Sequence, residues 1–536
     1  MTTDLNPRPN ILWISLEDTS PRFGCYGDAL ARTPNIDGLS SQGTIFVNAF
    51  STAGVCAPSR AAVITGMYQT SIGAHHMRTS HTNLFTPEMP TPYEVVPPPY
   101  VKAFPEYLRS EGYYCTNNQK TDYQFQSPVT AWDECSASAH WRHRESEQPF
   151  FAVFNPIVTH ESGMWRNLQE PPITDPGQVK LPPYLPDTAK SRDALARHYD
   201  NIAQADAYVG SLLRQLEEDG LVENTIVFLW SDHGEGLPRA KRWPYDQGIR
   251  VPMIVRWPGH LESGTMDQRL ISLVDLAPTV LSLVGMDLPT HFEGHPFLGE
   301  HRQDREYVFA SRDRYDESYD MVRAVRDSRY KYIRNYYPDN PYLQWIPYSH
   351  QHPVWQEMWR LHLDDALEGV QTLMFNTSRP VEELYDCDRD PFEIDNLAGD
   401  PHYVAILERM RDALDRWVDR FGDMGHIPEE QMVERMWPGG TQPETARPII
   451  VPITSSMYGR QAVQDVQEVK GPIEVMIHCS TQGASIAYTT ENTLNARWKL
   501  YTGPVRLPVG ETVLRARAIR IGYRESRETT VMFRVH

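Results

Sequence analysis

The feature that most constrains the fold is an alternation of apolar, strand-like runs with helical patterns over residues 1–300 of this 536-residue chain. Asn10–Leu16 is a continuous apolar run, which is typical of a strand buried on both faces of a sheet. Thr33 and Pro34 are start signals, and Gly43 is a stop signal, for a short helix between them. The alternation predicts a doubly wound α/β sheet.

Further elements of the same alternation follow from apolar periodicity. Strands are predicted at Thr44–Phe50, Tyr113–Asn117, Phe150–Asn155, Asn224–Trp230 and Val251–Val255. Helices are predicted at Phe104–Glu111, Ala189–Glu218 and Leu273–Val284. The long helix over 189–218 has apolar residues at three- and four-residue spacing, so we expect one of its faces to be buried.

The pattern changes twice after residue 300. Short strands and an amphipathic helix at Pro401–Phe421 predict a smaller α+β subdomain over 301–440, after an α/β domain over 1–300. Residues 441–452 are predicted to be a linker, because this part of the chain is rich in proline, glycine and threonine. Turn signals between short strands then predict a β-sandwich over 453–536. The predicted strands of these two regions are Tyr307–Ser311, Met321–Arg326, Tyr330–Tyr336, Ile473–His478, Ser485–Tyr488, Lys499–Tyr501, Thr512–Ala518 and Thr530–Val535.

Charge and composition narrow the range of partners. The 70 acidic residues outnumber the 51 basic ones, and the formal charge of -19 argues against a nucleic acid and against an anionic membrane. An anionic small substrate remains compatible, because a pocket can be locally basic. The six cysteines are scattered and form no Cys-x-x-Cys pair, which argues against a disulfide framework and a zinc site. The N-terminus lacks the basic and apolar segments of a secretory signal, so we expect a cytoplasmic protein if Met1 is the native start.

Two predicted strands end in pairs of potential metal ligands. Glu17 and Asp18 follow the first strand, and Asp232 and His233 follow the strand at 224–230. Open α/β sheets bind ligands at the carboxyl ends of their strands. Carboxylate oxygens suit a hard divalent cation such as Ca²⁺ or Mg²⁺. The alternative interpretation is that all four are ordinary turn residues.

The sharpest local motif is Val-Cys-Ala-Pro-Ser-Arg-Ala at residues 55–61. Pro58 fits the first turn of a helix, which places Cys56 at a helix N-terminus, where free N–H groups and the dipole favour an anion. Arg60 lies one turn further on and can hold an anionic group, or a modified residue 56, by a bidentate contact. The alternative is a buried structural cysteine in front of a helix.

Residues 56–60 resemble the signature Cys-x-Pro-Ser-Arg of the formylglycine-dependent sulfatases. The resemblance implies the alkaline-phosphatase-like fold of that family, with a large mixed, doubly wound sheet and a smaller C-terminal subdomain. Within the family, Asp313–Tyr336 is similar to bacterial heparan N-sulfatase-like and arylsulfatase proteins. The predicted β-sandwich resembles the module appended to some chitobiases and hexosaminidases. The other matching segments are Asn10–Asp18, Gly24–Asp28, Thr33–Phe50, Ala61–Gly66, Ser231–Gly234, Gln247–Pro252, Leu273–Gly285, Arg329–Ile333 and Glu383–Leu397.

The resemblance also implies a metal site and a modified nucleophile. In that family the signature cysteine is oxidised to formylglycine, whose hydrate is the nucleophile, so Cys56 is the expected precursor. Glu17, Asp18, Asp232, His233 and one oxygen of residue 56 would hold a divalent cation, Ca²⁺ first, with Mg²⁺ and Mn²⁺ open. Glu17 departs from the family, which usually has a second aspartate there.

Three basic residues match family positions around the sulfate. Lys120 and Lys241 would bind the sulfate oxygens, and His160 would protonate the leaving group. The family often has a histidine two residues after the first lysine, whereas this chain has Asp122, and the neighbours of His160 also differ. Arg242 is a rival of Lys241 for the sulfate.

These features together predict a sulfuric ester hydrolase that cleaves a sulfate monoester or an N-sulfate, through attack of the hydrate at residue 56 on sulfur. The expected partners are a small-molecule or carbohydrate sulfate ester and, during maturation, a formylglycine-generating enzyme. The sequence leaves a monomer and a homo-oligomer open. A phosphate or phosphonate monoester hydrolase on the same scaffold is one alternative function, and a non-catalytic glycan-binding protein is the other.

Overall fold

The computed structural model describes residues 8–166, 168–454 and 466–536. Residues 1–7, on which the expectation about a secretory signal rests, and residues 455–465 of the predicted β-sandwich lie outside the described part. No helix of the described residues combines the length and the apolar character that crossing a membrane requires. The chain divides into two compact units. The first consists of Met1–Arg78, Thr82–Met89 and Val153–His426, and the second of Thr79–His81, Pro90–Ala152 and Ile427–His536.

The strands and helices, numbered along the chain, have the following bounds. The strands are β1 Asn10–Leu16, β2 Thr44–Phe50, β3 Tyr114–Asn118, β4 Glu134–Cys135, β5 Phe150–Phe154, β6 Thr225–Ser231, β7 Arg250–Val251, β8 Met253–Arg256, β9 Thr265–Ser272, β10 Val308–Arg312, β11 Val322–Arg326, β12 Tyr330–Asn335, β13 Glu382–Asp386, β14 Ile449–Ile453, β15 Val466–Val469, β16 Ile473–His478, β17 Ser485–Thr489, β18 Lys499–Leu500, β19 Val505–Leu507, β20 Gly510–Ile519 and β21 Thr529–Val535. The helices are α1 Pro34–Ser41, α2 Cys56–Thr65, α3 Pro105–Ser110, α4 Ala189–Glu218, α5 Asp246–Ile249, α6 Leu276–Leu283, α7 Pro353–Leu363, α8 Val404–Phe421 and α9 Glu429–Met436.

A mixed sheet forms the centre of the first unit. Its strands run in the order β1-β6-β8-β2-β7, and β9 also pairs with β2. β1 and β6 are parallel, as are β2 and β9, whereas β8 is antiparallel to both β6 and β2. Every residue of β1 and β6 is buried, as their unbroken apolar sequences predict. The predicted mixed α/β sheet is confirmed.

Helix α1 begins where predicted, but a different residue caps it. Thr33 occupies the N-cap position, yet its hydroxyl accepts from the N–H of Gly24 at 2.9 Å and makes no cap. Asp206, from the middle of α4, accepts the N–H groups of Asn35 at 3.0 Å and Ile36 at 2.8 Å instead. This carboxylate satisfies N–H groups that the first helical turn leaves free and ties α1 to α4.

Two predicted elements of the first unit are each broken in two. The strand predicted at 251–255 becomes β7 and β8, separated by Pro252, because proline has no N–H for the strand ladder. The helix predicted at 273–284 begins as a 3-10 turn and continues as α6. At its start the carboxylate of Asp275 accepts the N–H of Ser272 at 3.0 Å.

A second, antiparallel sheet of the first unit has the order β10-β11-β12-β13. Helix α8 covers it, and Leu407, Met410, Leu414 and Trp417 belong to the apolar cluster that they share. The ring of Trp417 stacks on Phe309 at a centroid distance of 5.1 Å. The strands and the amphipathic helix predicted for this region are confirmed, while its limits at 301 and 440 stay predictions.

In the second unit, β3 and β4 pair in parallel, and two further sheets have the orders β14-β16-β19 and β15-β21-β20-β17-β18. Their apolar residues, among them Val475, Leu514 and Phe533, form one core. The predicted linker at 441–452 extends too far, because residues 449–452 belong to β14 and pair with β16. Its proline is tolerated because β14 is an edge strand.

Candidate active site

The parallel pairing of β1 and β6 brings the two predicted ligand pairs together. Leu16 and Ser231, the last residues of the two strands, are partners in the ladder. The N–H of Asp232 donates to the carbonyl of Leu16 at 3.2 Å, and the N–H of Asp18 donates to the Asp232 carboxylate at 3.2 Å. The pair that begins with Glu17 and the pair that follows Ser231 therefore lie at one edge of the sheet.

Cys56 is the first residue of α2, with Val55 at the N-cap position, and it is buried. Its sulfur lies 3.3 Å from Nε2 of His233 and 3.9 Å from Oδ1 of Asp18. Nδ1 of His233 lies 2.9 Å from the carbonyl oxygen of Gly234. A carbonyl can only accept, so Nδ1 carries a proton and Nε2 is the ring nitrogen directed at Cys56 and Asp18.

The two aspartates each direct one oxygen inward and the other outward. Oδ1 of Asp18 lies 2.9 Å from Nε2 of His233, and Oδ1 of Asp232 lies 3.8 Å from it. Oδ2 of Asp18 accepts from Lys241 at 2.6 Å, and Oδ2 of Asp232 accepts from Arg60 at 3.0 Å. The cationic side chains therefore contact the outer oxygens and leave the inner oxygens facing the histidine.

The donor groups fit a hard divalent cation. Within each of two overlapping groups, the potential ligand atoms lie within 4.8 Å of one another. The carboxylates of Glu17, Asp18 and Asp232 and the imidazole of His233 are all buried, and such groups are ligands that a divalent cation accepts. The first group is Glu17, Asp18, Cys56 and His160, and the second is Cys56, Asp232 and His233.

Arg60 is buried and joins the two ligand pairs. Besides its contact with Asp232, its Nη1 donates to Oδ1 of Asn155 at 2.9 Å, and its Nη2 lies 3.5 Å from Oε2 of Glu17. Its guanidinium therefore offsets part of the negative charge of the carboxylates. Asn155, which directly follows β5, was not among the predicted site residues.

Lys241 lies between two carboxylates. Its ammonium contacts Asp18, Oε1 of Glu161 at 3.0 Å and Nε2 of His160 at 3.4 Å. Burial by itself would lower the pKa of Lys241, but the charges of Asp18 and Glu161 outweigh it and raise that pKa above its usual value. The ammonium therefore remains charged at every physiological pH.

His160 is a neutral imidazole at pH 7. Burial first, and the charge of Lys241 next, lower its pKa to about 4. Its Nδ1 accepts the N–H of Ser162 at 3.3 Å and lies 3.0 Å from the hydroxyl of the same residue. Its Nε2 faces the ammonium of Lys241 at 3.4 Å, and an ammonium can only donate.

Glu161 is a buried residue of this site that the sequence prediction missed. Its carboxylate accepts both Nη groups of Arg242 at 3.0 and 2.8 Å, and its N–H donates to Asp18 at 2.7 Å. Arg242, predicted as a rival for the sulfate, is thus paired with Glu161. Asp18 and Arg242 have φ values of 45° and 76°, in the left-handed region that side chains rarely adopt. The sequence signal that could have identified Glu161 is its position directly after His160.

Lys120, the second predicted sulfate-binding lysine, belongs to the second unit. Its ammonium lies 3.5 Å from the carboxylate of Asp122, and its carbonyl accepts from the side chain of Asn117 at 3.1 Å. The departure at Asp122 thus supplies an ion-pair partner for the lysine. Its contact with a sulfate stays a prediction.

Comparisons with known proteins identify the family. The sulfatase family model matches residues 9–140 and 136–286, and the model of the N-sulphoglucosamine sulphohydrolase C-terminal region matches residues 234–372. An ulvan-active sulfatase of Formosa agariphila is 43% identical over 98% of this chain and 91% of its own length. The chain belongs to the sulfatase family. This sulfatase is therefore a hydrolase of sulfate esters, as predicted, and the family generally works with a divalent cation and a formylglycine.

Two further relatives bear on the fold and the chemistry of this sulfatase. Human N-sulphoglucosamine sulphohydrolase is 27% identical, and the match covers 76% of this chain and 89% of the human one. The solved structure of a 2-O GAG sulfatase superposes with a TM-score of 0.59 at 21% identity, over 78% of this chain and 93% of the other. This structural likeness shows the fold, and the predicted alkaline-phosphatase-like architecture is confirmed.

Proposed function

We propose that this sulfatase removes sulfate from a carbohydrate, with residue 56 converted to formylglycine and Ca²⁺ as its cation. The observation that carries the proposal is the position of Cys56, whose sulfur lies 3.3 Å from Nε2 of His233 at the start of a helix. The names of the relatives support a sugar substrate, because one acts on ulvan and another on N-sulphoglucosamine. Both O-sulfate and N-sulfate are therefore candidate bonds.

Glu17, Asp18, Asp232 and His233 would hold the cation, which would neutralise charge on the sulfate oxygens and acidify the hydrate of residue 56. Ca²⁺ is the proposed ion because it accepts several carboxylates in irregular geometry, whereas Mg²⁺ demands a near-ideal octahedron. The longer side chain of Glu17, where the family usually has an aspartate, fits that tolerance.

The groups around the cation divide the remaining work. The hydrate of a formylglycine at residue 56 would supply the oxygen that attacks sulfur. The ammonium of Lys241, which stays charged, would pair with a sulfate oxygen. His160 would act as general acid only as an imidazolium, a form that the negative charge of a bound sulfate favours, and it would then protonate the leaving oxygen or nitrogen. Lys120 would add a second cationic contact, a role that rests on the family resemblance alone.

The first experiment combines peptide mass spectrometry with turnover. The protein is produced together with a formylglycine-generating enzyme, which we propose as its maturation partner. We expect the peptide of residue 56 to carry the aldehyde. The peptide of Cys387, a buried cysteine that also lies beside two carboxylates, is the internal control and should keep its thiol.

Turnover is then measured on an aryl sulfate, an aryl phosphonate, ulvan fragments and N-sulfated glucosamine. We expect the sulfated compounds to be hydrolysed and the phosphonate to react more slowly. A phosphonate that reacts faster would move the protein to the alternative hydrolase class. An unmodified thiol at residue 56 in a protein that hydrolyses sulfate esters would remove the nucleophile from the proposal.

A further inference from the structure

Three aromatic side chains of the first unit are exposed or half-buried, and one of them, Tyr348, lies near His160 of the proposed active site. We name Phe85, Trp345 and Tyr348 the aromatic strip. Phe85 is 65% exposed and Trp345 is 50% exposed, and Tyr348 is half-buried. Large aromatic side chains usually bury most of their surface, so exposed rings near a catalytic group call for a functional explanation.

Tyr348 connects the strip to the catalytic residues. Its ring centroid lies 6.2 Å from that of His160 and 5.8 Å from that of Trp165. The guanidinium of Arg78 lies 5.5 Å from the centre of the same ring. Arg78 is 40% exposed at its side chain and pairs with Asp316 at 2.5 Å. An anionic substrate held at His160 would therefore meet an aromatic face and a partly exposed cation.

Trp345 and Phe85 are held in place by hydrogen bonds to one turn. The hydroxyl of Ser318 donates to the carbonyl of Trp345 at 2.6 Å. The side chain of Asn83 accepts the N–H of Phe85 at 2.8 Å and donates to Glu317 at 2.9 Å. The two rings meet edge to face at a centroid distance of 5.5 Å.

The segment that carries Trp345 and Tyr348 is anchored as well. Ile346, between them, is buried, and its carbonyl accepts from the Ser349 hydroxyl at 2.9 Å. The main chain that carries the exposed rings is therefore hydrogen-bonded at several points, which would reduce the entropy that a ligand has to overcome. An exposed aromatic face suits a ligand with an apolar face of its own.

We propose that the aromatic strip binds the sugar rings next to the sulfated one, so that the enzyme prefers sulfated oligosaccharide chains to single sulfated sugars. A sugar ring presents apolar C–H groups on its faces and hydroxyls at its edge. The C–H groups would pack on Trp345, Phe85 and Tyr348, and the polar side chains around the rings would meet the hydroxyls. This inference rests on the proposed carbohydrate substrate and extends it from one sugar to a chain.

The test measures how selectivity depends on chain length. The probes are ulvan fragments and N-sulfated glucosamine oligomers of increasing length, with p-nitrophenyl sulfate as a small reference. For wild type, kcat/KM should rise with chain length. For Trp345→Ala, and separately for Phe85→Ala, the ratio of kcat/KM for an oligomer to that for the aryl sulfate should fall about fivefold to tenfold, mainly through KM.

The matched control is Trp359→Ala, a tryptophan that is 38% exposed on α7 and packs on Phe375 instead. It should keep the wild-type ratio. A ratio that does not change in Trp345→Ala, or a wild type that treats single sugars and oligomers alike, would overturn the inference. A wild type that hydrolyses no sulfated sugar would refute the proposed carbohydrate substrate instead of the inference about chain length. Binding of the oligomers to the inactive Cys56→Ala variant tests the aromatic strip independently of turnover.

Discussion

Two buried clusters of ionisable side chains in the first unit contain the same kinds of group but differ in where their cationic side chains lie. Each brings a cysteine together with at least two carboxylates, with ligand atoms within 4.8 Å. We call the proposed site of Glu17, Asp18, Cys56, Asp232 and His233 the catalytic cluster. We call the group of Asp246, Arg326, Lys331, Cys387 and Glu393 the structural cluster.

The difference lies in where the protein puts its own cations. In the structural cluster, the Lys331 ammonium lies between the carboxylates, in contact with Asp246 and 2.9 Å from Glu393, and donates to the carbonyl of Pro244 at 2.9 Å. Arg326 contacts Asp246 at 3.1 Å as well. The ammonium occupies the position that a metal ion would need.

In the catalytic cluster the cations stay outside. Lys241 and Arg60 contact the outer oxygens of Asp18 and Asp232, and the inner oxygens face Nε2 of His233. Residue 56 also begins a helix, whereas Cys387 follows a strand. We therefore expect a metal ion to bind in the catalytic cluster and not in the structural cluster, whose centre the Lys331 ammonium fills.

Replacing the two cysteines gives the largest expected contrast. Cys56→Ala should lower kcat by about 10⁴-fold or more, because it removes the precursor of the nucleophile. Cys387→Ala should leave kcat close to wild type, because burial and the charges of Asp246 and Glu393 raise its thiol pKa well above the usual value and make it inert. Aryl sulfate turnover measures both. A large loss of kcat in folded Cys387→Ala would mean that the clusters are not separate in function.

Removing the central cation of the structural cluster should lower the free energy of unfolding and leave the turnover of sulfate esters nearly unchanged. Lys331→Met leaves Asp246 and Glu393 buried without their ammonium, and we expect a loss of about 3–5 kcal/mol in the free energy of unfolding. Denaturant unfolding followed by circular dichroism measures this loss. Lys190→Met removes a largely exposed ammonium from Glu357, which keeps Arg360 as a partner, so this control should cost below about 1 kcal/mol. Equal losses in both variants would contradict a structural role for the cluster.

The sequence predicted the catalytic cluster better than its surroundings, for a physical reason. The ends of β1 and β6 and the start of α2 follow from local apolar runs and helix signals, so Asp18, Cys56 and Asp232 could be assigned. The contact between Glu161 and Arg242 joins residues 81 positions apart, and no periodicity records it. Only the fold brings such groups together.

The same limit applies to the fold itself. Interior strands and the long helix carry continuous apolar signals and were predicted well. The cap of α1 was not, because Asp206 reaches it from α4, 170 positions away from Ile36. Likewise, β14 begins inside the predicted linker, because its apolar run is short, contains a proline and becomes a strand through pairing with β16.

Protonation is a third way to neutralise a buried carboxylate, and Glu293 is the example in this chain. This carboxylate accepts hydrogen bonds from the N–H of Tyr68 at 2.6 Å and the hydroxyl of Ser71 at 2.9 Å, both neutral groups. Burial raises the pKa of Glu293 to about 7, above its value in an unfolded chain. Folding therefore favours the protonated acid, and its contribution to stability is present at acid pH and is lost as pH rises through about 7.

Glu293→Gln should flatten that part of the pH profile. Between pH 4 and pH 8 the free energy of unfolding of wild type should fall by about 3 kcal/mol more than that of the variant. Urea unfolding at a series of pH values measures the difference. Glu357→Gln, at a carboxylate paired with Lys190 and Arg360, should not reproduce it. Parallel profiles for wild type and Glu293→Gln would show that this carboxylate is ionised in the folded state.

Calcium binding should have the smallest effect on the free energy of unfolding, but it distinguishes the two clusters most clearly. Protein stripped with a chelator should gain about 2.7 kcal/mol in the free energy of unfolding when Ca²⁺ is restored at a hundred times its dissociation constant. Asp18→Asn should abolish this gain, because it removes an inner carboxylate from the catalytic cluster.

Asp246→Asn is the matched substitution in the structural cluster. It should lower stability with and without calcium and keep the same gain, since Lys331 already occupies that centre. Unfolding curves with Ca²⁺, Mg²⁺ or Mn²⁺ measure the gain for each ion. A gain that survives Asp18→Asn and disappears in Asp246→Asn would place the cation in the other cluster and reverse the comparison.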